Sequence, residues 1–424
     1  MKPFSFLEDG TMTLLETVIG TKNASRVLAK CGAAKRTEAL RHIAVALREN
    51  EEPILAANAL DITAGKEAGL APSFLDRLAL SVSRIEDMAR AVEEIAAQAD
   101  PIGAVEKQWI RPNGLRVGKM RIPLGVIAVI YEARPNVTSD AAALAIRSGN
   151  GIVLKGGSAA ARSNAAVGHA VGAGLEAAGL PAAAVTVLTT SSRDEIAELL
   201  TFEDQIDLVI PRGGEGLIRF VSERSRIPVV KHYKGVCHVY IDAHADLETA
   251  VRIVLNGKVS RPSVCNSVET VLVHSAVANE AVPALVEALA KEGVTVHGDL
   301  AVAALAPGVV PATDADWAAE YLSLDVAMAV VADLSGAISH IEAWGSDHTE
   351  AIITRDIAAA QRFKDEVMSS CVIVNASTRF ADGGQLGLGA EIGISTSRVH
   401  AYGPMGVEGL TTTRFVIDGD GQIR

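Results

Sequence analysis

The sequence predicts an α/β protein with two parallel-sheet domains, and three observations support this fold class. Hydrophobic residues make up 49% of the 424 residues but aromatic ones only 4%, so aliphatic side chains dominate, as in helices packed on buried parallel strands. Short aliphatic strands alternate with helices in two consecutive series, which indicates right-handed βαβ units. At about 150 residues per domain, the length favours two or three domains.

The first hundred residues predict an all-helical segment. Apolar residues recur at helical spacing over Leu14–Gln98, and we expect a break in the helices at Pro53. A Pro112–Gly114 turn then separates two short segments that alternate as strands do, Val105–Ile110 and Leu115–Met120. These segments predict a protruding hairpin.

The first series of βα units follows this hairpin. Its predicted elements are strand Val126–Ile130, helix Ser139–Ser148, strand Ile152–Lys155, helix Ala159–Ala178, strand Val185–Leu188, a helix through Leu200, strand Asp207–Ile210, a helix through Ser225 and strand Pro228–Val230. Ser192 and Glu195 have the spacing of a capping box for the helix through Leu200.

The second series predicts another α/β domain. Its strands are expected at Val239–Asp242, Thr270–Val273, Val294–Val296, Val326–Val331, Ala351–Thr354 and Val372–Val374, and its helices at Leu247–Asn256, Glu280–Glu292, Ser335–Trp344 and Ile357–Glu366. Arg414–Ile417 predicts one more strand near the end of the sequence.

Charge and hydropathy exclude several classes of protein. Lys plus Arg total 39 and Asp plus Glu total 51, and the net charge of −12 disfavours nucleic acid and anionic membranes as partners. No aliphatic run approaches the ~20 residues of a membrane helix. The opening MKPFSFLEDG has the wrong charge order for a secretory signal. We therefore expect a cytoplasmic protein.

The four cysteines show no C-x-x-C pair, which argues against a disulfide framework or a zinc site. Cys265 lies in the polar segment SRPSVCNS, where Arg261 and backbone N–H groups would favour a nucleophilic thiolate. An ordinary surface cysteine is the alternative. Cys31 on a helix, Cys237 at a strand start and Cys371 opening a strand are typical packing positions.

Two glycine turns join predicted strands to predicted helices. Lys155 and two glycines precede Ser158, and a lysine beside N–H groups at a helix start can hold a phosphate or a ribose. Gly213 and Gly214 form the second turn, which favours a dinucleotide lying across adjacent strand ends. Neither turn has the G-x-G-x-x-G or Walker order, so tight turns without a ligand are the alternative.

Other polar residues are ambiguous on the sequence alone. Asn136 follows an apolar strand, where its amide can stabilise an oxyanion or simply form a turn. Glu320 and the group His340, His348 and Glu350 match no metal-binding signature, so we expect no metal.

Five segments together resemble one known family. They are IPLGVIAVIYEARPNVTSDAAALAIRSGN (122–150), VLKGGSAAARSN (153–164), VVKHYKG (229–235), SRPSVCNSVET (260–270) and AISHIEAWGSDHTEAI (337–352). The chain resembles, nearly end to end, the glutamate-5-semialdehyde dehydrogenases, or gamma-glutamyl phosphate reductases, of the aldehyde dehydrogenase superfamily. Trp344 stands where that family's signature has Tyr or His, which we interpret as a packing variation.

The resemblance implies a role for each matching site residue. Cys265 would be the nucleophile, and Asn136 would stabilise the oxyanion together with the Cys265 N–H. The remaining roles concern NADP(H): Lys155 would hold the adenosine ribose, Ser158 would replace an acid that repels a 2′-phosphate, Gly213 and Gly214 would approach the pyrophosphate, and Glu320 would position the nicotinamide ribose.

The same resemblance implies a reductase. Residues 231–235 read KHYKG, without the glutamate that activates water in hydrolytic aldehyde dehydrogenases. Cys265 would displace phosphate from L-glutamyl 5-phosphate, and NADPH would reduce the resulting thioester to L-glutamate 5-semialdehyde, in proline biosynthesis. His232, Arg134, Arg261 and the loop 387–396 are candidates for contacts with the substrate, and a glutamate kinase is a candidate transient partner.

The implied fold is aldehyde-dehydrogenase-like, with two Rossmann-like domains. Residues 1–100 and 122–231 would bind NADP, residues 232–395 would form the catalytic domain, and residues 101–121 and 396–424 would form an oligomerisation hairpin and strand. We expect a homodimer or homotetramer. A general aldehyde dehydrogenase that produces a free acid and a non-catalytic protein of the same fold are the alternatives.

Overall fold

The computed structural model describes residues 12–189, 192–231 and 233–424, and it divides into two compact units. The first unit comprises Met1–Lys231, Gly387–Gly393 and Met405–Arg424, and the second comprises His232–Leu386 and Ile394–Pro404. Within the described ranges, no helix combines the length and the apolar character needed to cross a membrane.

Helices and strands alternate through most of the described chain. The helices are α1 (Leu14–Leu28), α2 (Ala33–Glu49), α3 (Glu51–Glu67), α4 (Pro72–Leu78), α5 (Val82–Ala97), α6 (Asn136–Arg147), α7 (Ala161–Ala177), α8 (Arg193–Leu199), α9 (Glu215–Arg224), α10 (Leu247–Val259), α11 (Ala278–Lys291), α12 (Leu300–Leu305), α13 (Asp314–Trp317), α14 (Leu334–Trp344) and α15 (Ile357–Glu366). The strands are β1 (Val105–Ile110), β2 (Arg116–Pro123), β3 (Val126–Tyr131), β4 (Gly151–Lys155), β5 (Val185–Leu188), β6 (Leu208–Arg212), β7 (Cys237–Ile241), β8 (Val268–His274), β9 (Thr295–Gly298), β10 (Val310–Pro311), β11 (Asp325–Val331), β12 (Thr349–Ile353), β13 (Cys371–Val374), β14 (Gly393–Ser395), β15 (Gly403–Met405) and β16 (Thr411–Asp418).

The helical segment at the start of the first unit is confirmed, but two local predictions within it are wrong. Pro53 does not break a helix, because it lies in the first turn of α3, where a missing N–H leaves no intrahelical bond unmade. The break falls at Asn50, between α2 and α3. Cys31 lies in the turn after α1 rather than on a helix.

The parallel sheet of the first unit has the strand order β5-β4-β3-β6. Every residue of β3 is buried, and Val126, Ala128 and Ile130 pack in one core with Leu14 and Val18 of α1. The predicted strand at 228–230 is reduced to a single bridge between Val209 and Val229. Pro228 has no N–H with which to extend the ladder.

The predicted hairpin forms, but it is not an unsupported ribbon. Strands β1 and β2 pair antiparallel, and β2 also pairs antiparallel with β16 over its whole length, from Thr411 opposite Pro123 to Asp418 opposite Arg116. The result is a three-stranded sheet with the order β1-β2-β16. The C-terminal strand therefore supports the hairpin within one chain.

The second unit is built on a seven-stranded parallel sheet with the order β10-β9-β11-β8-β7-β12-β13. Strand β7 alternates between two cores, since Val239 and Ile241 join one hydrophobic cluster and Tyr240 joins the other. This alternation is what a strand covered on both faces requires. Because β7, β8 and β12 are adjacent and parallel, the segments that precede them meet at one edge of the sheet.

Candidate active site

Cys265 lies half-buried in the loop between α10 and β8, and the chain before β7 packs directly on its backbone. A Cβ added at Gly235 would overlap the Cys265 carbonyl oxygen and lie 2.9 Å from its Cα. The Cys237 thiol donates a hydrogen bond to the same carbonyl oxygen, with 3.2 Å between Sγ and O. Glycine at position 235 is therefore a steric requirement of the loop 260–267, which carries the candidate nucleophile Cys265.

Glu320 reaches the same segment. Its Oε1 accepts a hydrogen bond of 2.9 Å from the Gly235 N–H, so Glu320 and the Cys265 backbone both lie against this glycine. Burial and nearby carboxylates, including Glu350, raise the pKa of the Cys237 thiol well above its usual range. Cys237 is thus a neutral hydrogen-bond donor.

Asn266, next to Cys265, connects this loop to residues 378–381. Its Nδ2 donates to the Ala381 carbonyl at 3.0 Å, and its carbonyl accepts a 2.7 Å bond from Thr378 Oγ1. The Arg379 guanidinium donates to its Oδ1. Sequence reasoning did not identify Asn266 or Arg379, because they are 113 positions apart and no local pattern links them.

His348 and Glu350 support the segment before and at the start of β7. The Val236 N–H donates to Ser346 Oγ at 2.9 Å, Cys237 Sγ lies 3.6 Å from His348 Nδ1, and the His238 N–H donates to Glu350 Oε2 at 2.8 Å. The side chains at positions 346, 348 and 350 therefore contact the three consecutive residues 236, 237 and 238. In the described part of the chain, no group of three His, Cys, Asp or Glu side chains is arranged to hold a metal ion.

His340 belongs to the same buried region. Its ring lies edge-on to the His238 ring, with centroids 5.6 Å apart, while His238 Nδ1 is 2.8 Å from Glu350 Oε2. Burial lowers the pKa of His340 to about 4, so the imidazole is neutral at physiological pH. The contact places His340 in the packing around His238.

A fully buried ion pair flanks Glu320, and sequence reasoning missed it as well. Lys258 Nζ and Glu269 Oε2 are 2.7 Å apart and neither side chain is exposed. Burial raises the pKa of Glu269, and the nearby N–H groups of Tyr321 and Leu322 oppose that rise. Leu322 has a left-handed φ of 55°, a strained conformation that this buried carboxylate helps to hold.

In the first unit, Lys155 ends β4 and is buried. Its Nζ donates to the Gly156 carbonyl at 3.2 Å, burial lowers the pKa of the ammonium, and Glu195 of α8 opposes that shift. The predicted capping box of Ser192 and Glu195 is wrong, because Ser192 Oγ accepts from the Asp194 N–H and Glu195 lies near Lys155 instead. Ser158 is exposed at the start of the short helix Ser158–Ala160.

Gly213 and Gly214 are exposed between β6 and α9. The Gly214 N–H donates to Glu132 Oε1 at 3.0 Å, which shows that this helix start accepts an anionic group. Strands β4 and β6 flank β3 on opposite sides, so the turns after them lie at the same edge of the sheet. Exposed glycine N–H groups near a buried lysine suit the phosphates and ribose of a dinucleotide.

Asn136 is the first residue of α6 rather than part of a turn. Its Nδ2 donates to Asp140 Oδ2 at 3.0 Å, which fixes the direction of the amide, and burial raises the pKa of Asp140 to about 6. Arg134 in the first unit and Arg261 in the second are both exposed. His232 lies outside the described residues.

The comparisons with known proteins agree with this geometry. The model of the aldehyde dehydrogenase family matches residues 10–315. A gamma-glutamyl phosphate reductase of Xanthomonas campestris pv. campestris is 51% identical over 413 residues, 97% of this chain and 100% of that protein. The chain belongs to the gamma-glutamyl phosphate reductases of the aldehyde dehydrogenase family. A relative of the same name from Geobacter metallireducens is 52% identical over 417 residues, with 97% of this chain and all of that protein covered.

A solved structure extends the likeness to three dimensions. The crystal structure of gamma-glutamyl phosphate reductase from Thermotoga maritima is 42% identical, has a TM-score of 0.95 and is matched over 97% of this chain and 99% of its own. The predicted family and the predicted aldehyde-dehydrogenase-like fold are therefore confirmed. Members of the aldehyde dehydrogenase family use nicotinamide cofactors.

Proposed function

We propose that this protein reduces L-glutamyl 5-phosphate to L-glutamate 5-semialdehyde and phosphate with NADPH, as a step of proline biosynthesis. The observation that supports it most directly is the nucleophile loop, in which Cys265 is held by Gly235 beside Glu320. The names of relatives at 51% and 52% identity support the substrate.

The Cys265 thiolate attacks the acyl carbon of the substrate, the bond from that carbon to the phosphate oxygen breaks, and phosphate departs with the electron pair. The product is a thioester on Cys265. NADPH held by the residues assigned below would supply the hydride for the thioester carbon, and the Cys265 thiolate would leave as the aldehyde forms. The Asn136 amide and the Cys265 N–H are assigned to stabilise the negative oxygen in both steps.

The chain also protects the thioester from water. Residues 231–235, which lead to the glycine packed on Cys265, contain two lysines and no carboxylate that could act as a general base. Because no carboxylate of this segment can activate water, and the Glu320 carboxylate accepts the Gly235 N–H, we expect hydrolysis to the free acid to be slow compared with reduction. This composition favours the reductase over an aldehyde dehydrogenase that produces a free acid.

NADP(H) is the proposed cofactor. We assign Lys155 to the adenosine ribose, Gly213 and Gly214 to the pyrophosphate, and Glu320 to the nicotinamide ribose. Ser158 carries no charge that would repel a 2′-phosphate, which supports NADP over NAD. The Gly214 N–H, already paired with a carboxylate, supports an anion at this turn.

The decisive experiment is the reverse reaction, measured as NADP reduction with L-glutamate 5-semialdehyde and inorganic phosphate. We expect Cys265→Ala to lower turnover at least about 1000-fold, while Cys31→Ala, which removes a thiol of the first unit, is the matched control and keeps a reactive Cys265. Near-normal turnover by Cys265→Ala would disprove the covalent mechanism. NADP reduction without phosphate or arsenate would instead identify a free-acid aldehyde dehydrogenase, and an unreactive Cys265 with no turnover would identify a non-catalytic protein.

We further propose a cytoplasmic homodimer or homotetramer assembled through the sheet β1-β2-β16. Its two edge strands expose apolar side chains, with Ile110 70% and Phe415 64% exposed, and such edges favour pairing. Light scattering on a sized column tests this, and we expect Ile110→Lys with Phe415→Lys to yield monomers. A transient glutamate kinase partner follows from the lability of the acyl phosphate, and a shortened lag in a coupled assay would support it.

A further inference from the structure

The second unit contains a polar cavity of about 340 Å³ beside the nucleophile loop. Its lining presents one guanidinium, one carboxylate, two amides, a hydroxyl and one aromatic ring, from Arg379, Asp382, Asn256, Gln385, Ser260 and Phe380. The mechanism above uses none of these residues.

The cavity wall is joined directly to the residue after Cys265. The Arg379 guanidinium donates to Asn266 Oδ1, and Asn266 Nδ2 holds the Ala381 carbonyl at 3.0 Å. Ser260 lies on the same loop as Cys265, five positions earlier. A ligand in this cavity would therefore sit near the nucleophile.

The charges of the cavity match one class of ligand. A cation and an anion in the same cavity complement a zwitterion, whereas the Asp382 carboxylate would repel a phosphate dianion. Asp382 Oδ1 accepts bonds from the Gly384 and Gln385 N–H groups at 3.0 and 3.3 Å, which fix the orientation of the carboxylate. A simple aliphatic aldehyde would leave both charges without a partner.

We propose that this cavity binds the α-amino acid end of the substrate, with Arg379 on the α-carboxylate and Asp382 on the α-ammonium group. The inference rests on the proposed function, because it needs L-glutamyl 5-phosphate as the substrate. In that molecule, the carbon that carries the ammonium and carboxylate groups is three carbon–carbon bonds from the reacting carbon. The Asn256 and Gln385 amides supply further hydrogen bonds. The cavity thereby favours an acyl phosphate that carries an α-amino acid group over acyl phosphates that lack one.

The test compares two aldehydes in the reverse reaction, L-glutamate 5-semialdehyde and 5-oxopentanoate, which lacks the amino group. Asp382→Asn should lower kcat/KM for L-glutamate 5-semialdehyde about 10- to 100-fold, as expected for a lost charge-assisted hydrogen bond. It should leave 5-oxopentanoate within about twofold. Asp365→Asn, which removes an exposed carboxylate of α15, is the matched control. Arg379→Lys should weaken both aldehydes, since both carry the carboxylate.

A second measurement needs no turnover. In the wild-type protein, L-glutamate should protect Cys265 from iodoacetamide at lower concentrations than glutarate does, and Asp382→Asn should abolish that difference. Equal protection by the two acids, or an equal effect of Asp382→Asn on both aldehydes, would overturn the inference. A wild-type protein inactive with L-glutamate 5-semialdehyde, phosphate and NADP would instead contradict the proposed function.

Discussion

The glycine turns of the first unit and the nucleophile loop of the second solve different physical problems. Ser158, Gly213 and Gly214 are exposed at strand ends, where backbone N–H groups remain accessible. The nucleophile loop instead lies beside fully buried ionisable side chains such as Lys258 and Glu269. A dinucleotide site needs accessible backbone N–H groups, whereas the proposed covalent chemistry needs a loop held in one position. A buried ion pair can hold such a loop, but burying the two charges carries a large desolvation penalty.

The largest expected difference between the two regions concerns stability. Lys258→Met leaves Glu269 buried without its partner and should lower the free energy of unfolding by about 3–5 kcal/mol. Arg219→Met, beside the glycine turn on the exposed face of α9, should lower it by at most about 1 kcal/mol. Urea unfolding followed by circular dichroism measures both. A double variant, Lys258→Met with Glu269→Leu, should regain most of the loss, and failure to do so would deny that the unpaired charge is the cause.

Two glycine substitutions compare the regions next. A Cβ at Gly235 would overlap the backbone of Cys265, whereas a Cβ at Gly213 would meet only the flexible Glu132 side chain, at 2.7 Å. Gly235→Ala should therefore reduce kcat about 100-fold by displacing the nucleophile and should slow the alkylation of Cys265. Gly213→Ala should act mainly on the KM for NADP. Equal effects of Gly235→Ala and Gly213→Ala on kcat would contradict the expected difference between the rigid Cys265 loop and the adaptable turn at Gly213.

A smaller effect is expected at the support of β7. Ser346→Ala removes the acceptor of the buried Val236 N–H and should lower the free energy of unfolding by about 1–3 kcal/mol. The rate of Cys265 alkylation should fall with it, because residues 235–237 pack on the nucleophile. Ser339→Ala, at an exposed position of α14, should change neither. An unchanged alkylation rate in Ser346→Ala would mean that this segment stabilises the fold without positioning Cys265.

The last effect is a pH dependence in the first unit, similar in size to the effect of Ser346→Ala. The pKa of Asp140 is about 6 in the folded chain against an ordinary 3.8, so folding favours the protonated form, and stability falls as pH rises from about 4 through 6. Asp140→Asn has no such loss. The melting temperature of Asp140→Asn minus that of the wild type should therefore increase from pH 4 to pH 7. A difference in melting temperature that stays constant across this range would contradict the assignment.

Local sequence patterns predicted local features well. Alternating strands and helices, the glycine turns and the exposed loop of Cys265 all depend on neighbouring residues. Predictions failed where tertiary contacts decide the outcome, as at Glu195, which lies near Lys155 instead of closing a capping box. The Arg379 to Asn266 contact spans 113 positions, and no local sequence pattern near either residue predicts it.

The pairing of β2 with β16 sets an order on how the protein is made. Residues 116–123 emerge from the ribosome early, but their partner at residues 411–418 is synthesised only after the whole seven-stranded sheet has been translated. The second unit can close while the first still lacks its last strand. During synthesis, the edge of β2 that β16 covers therefore stays unpaired until residues 411–418 follow the second unit.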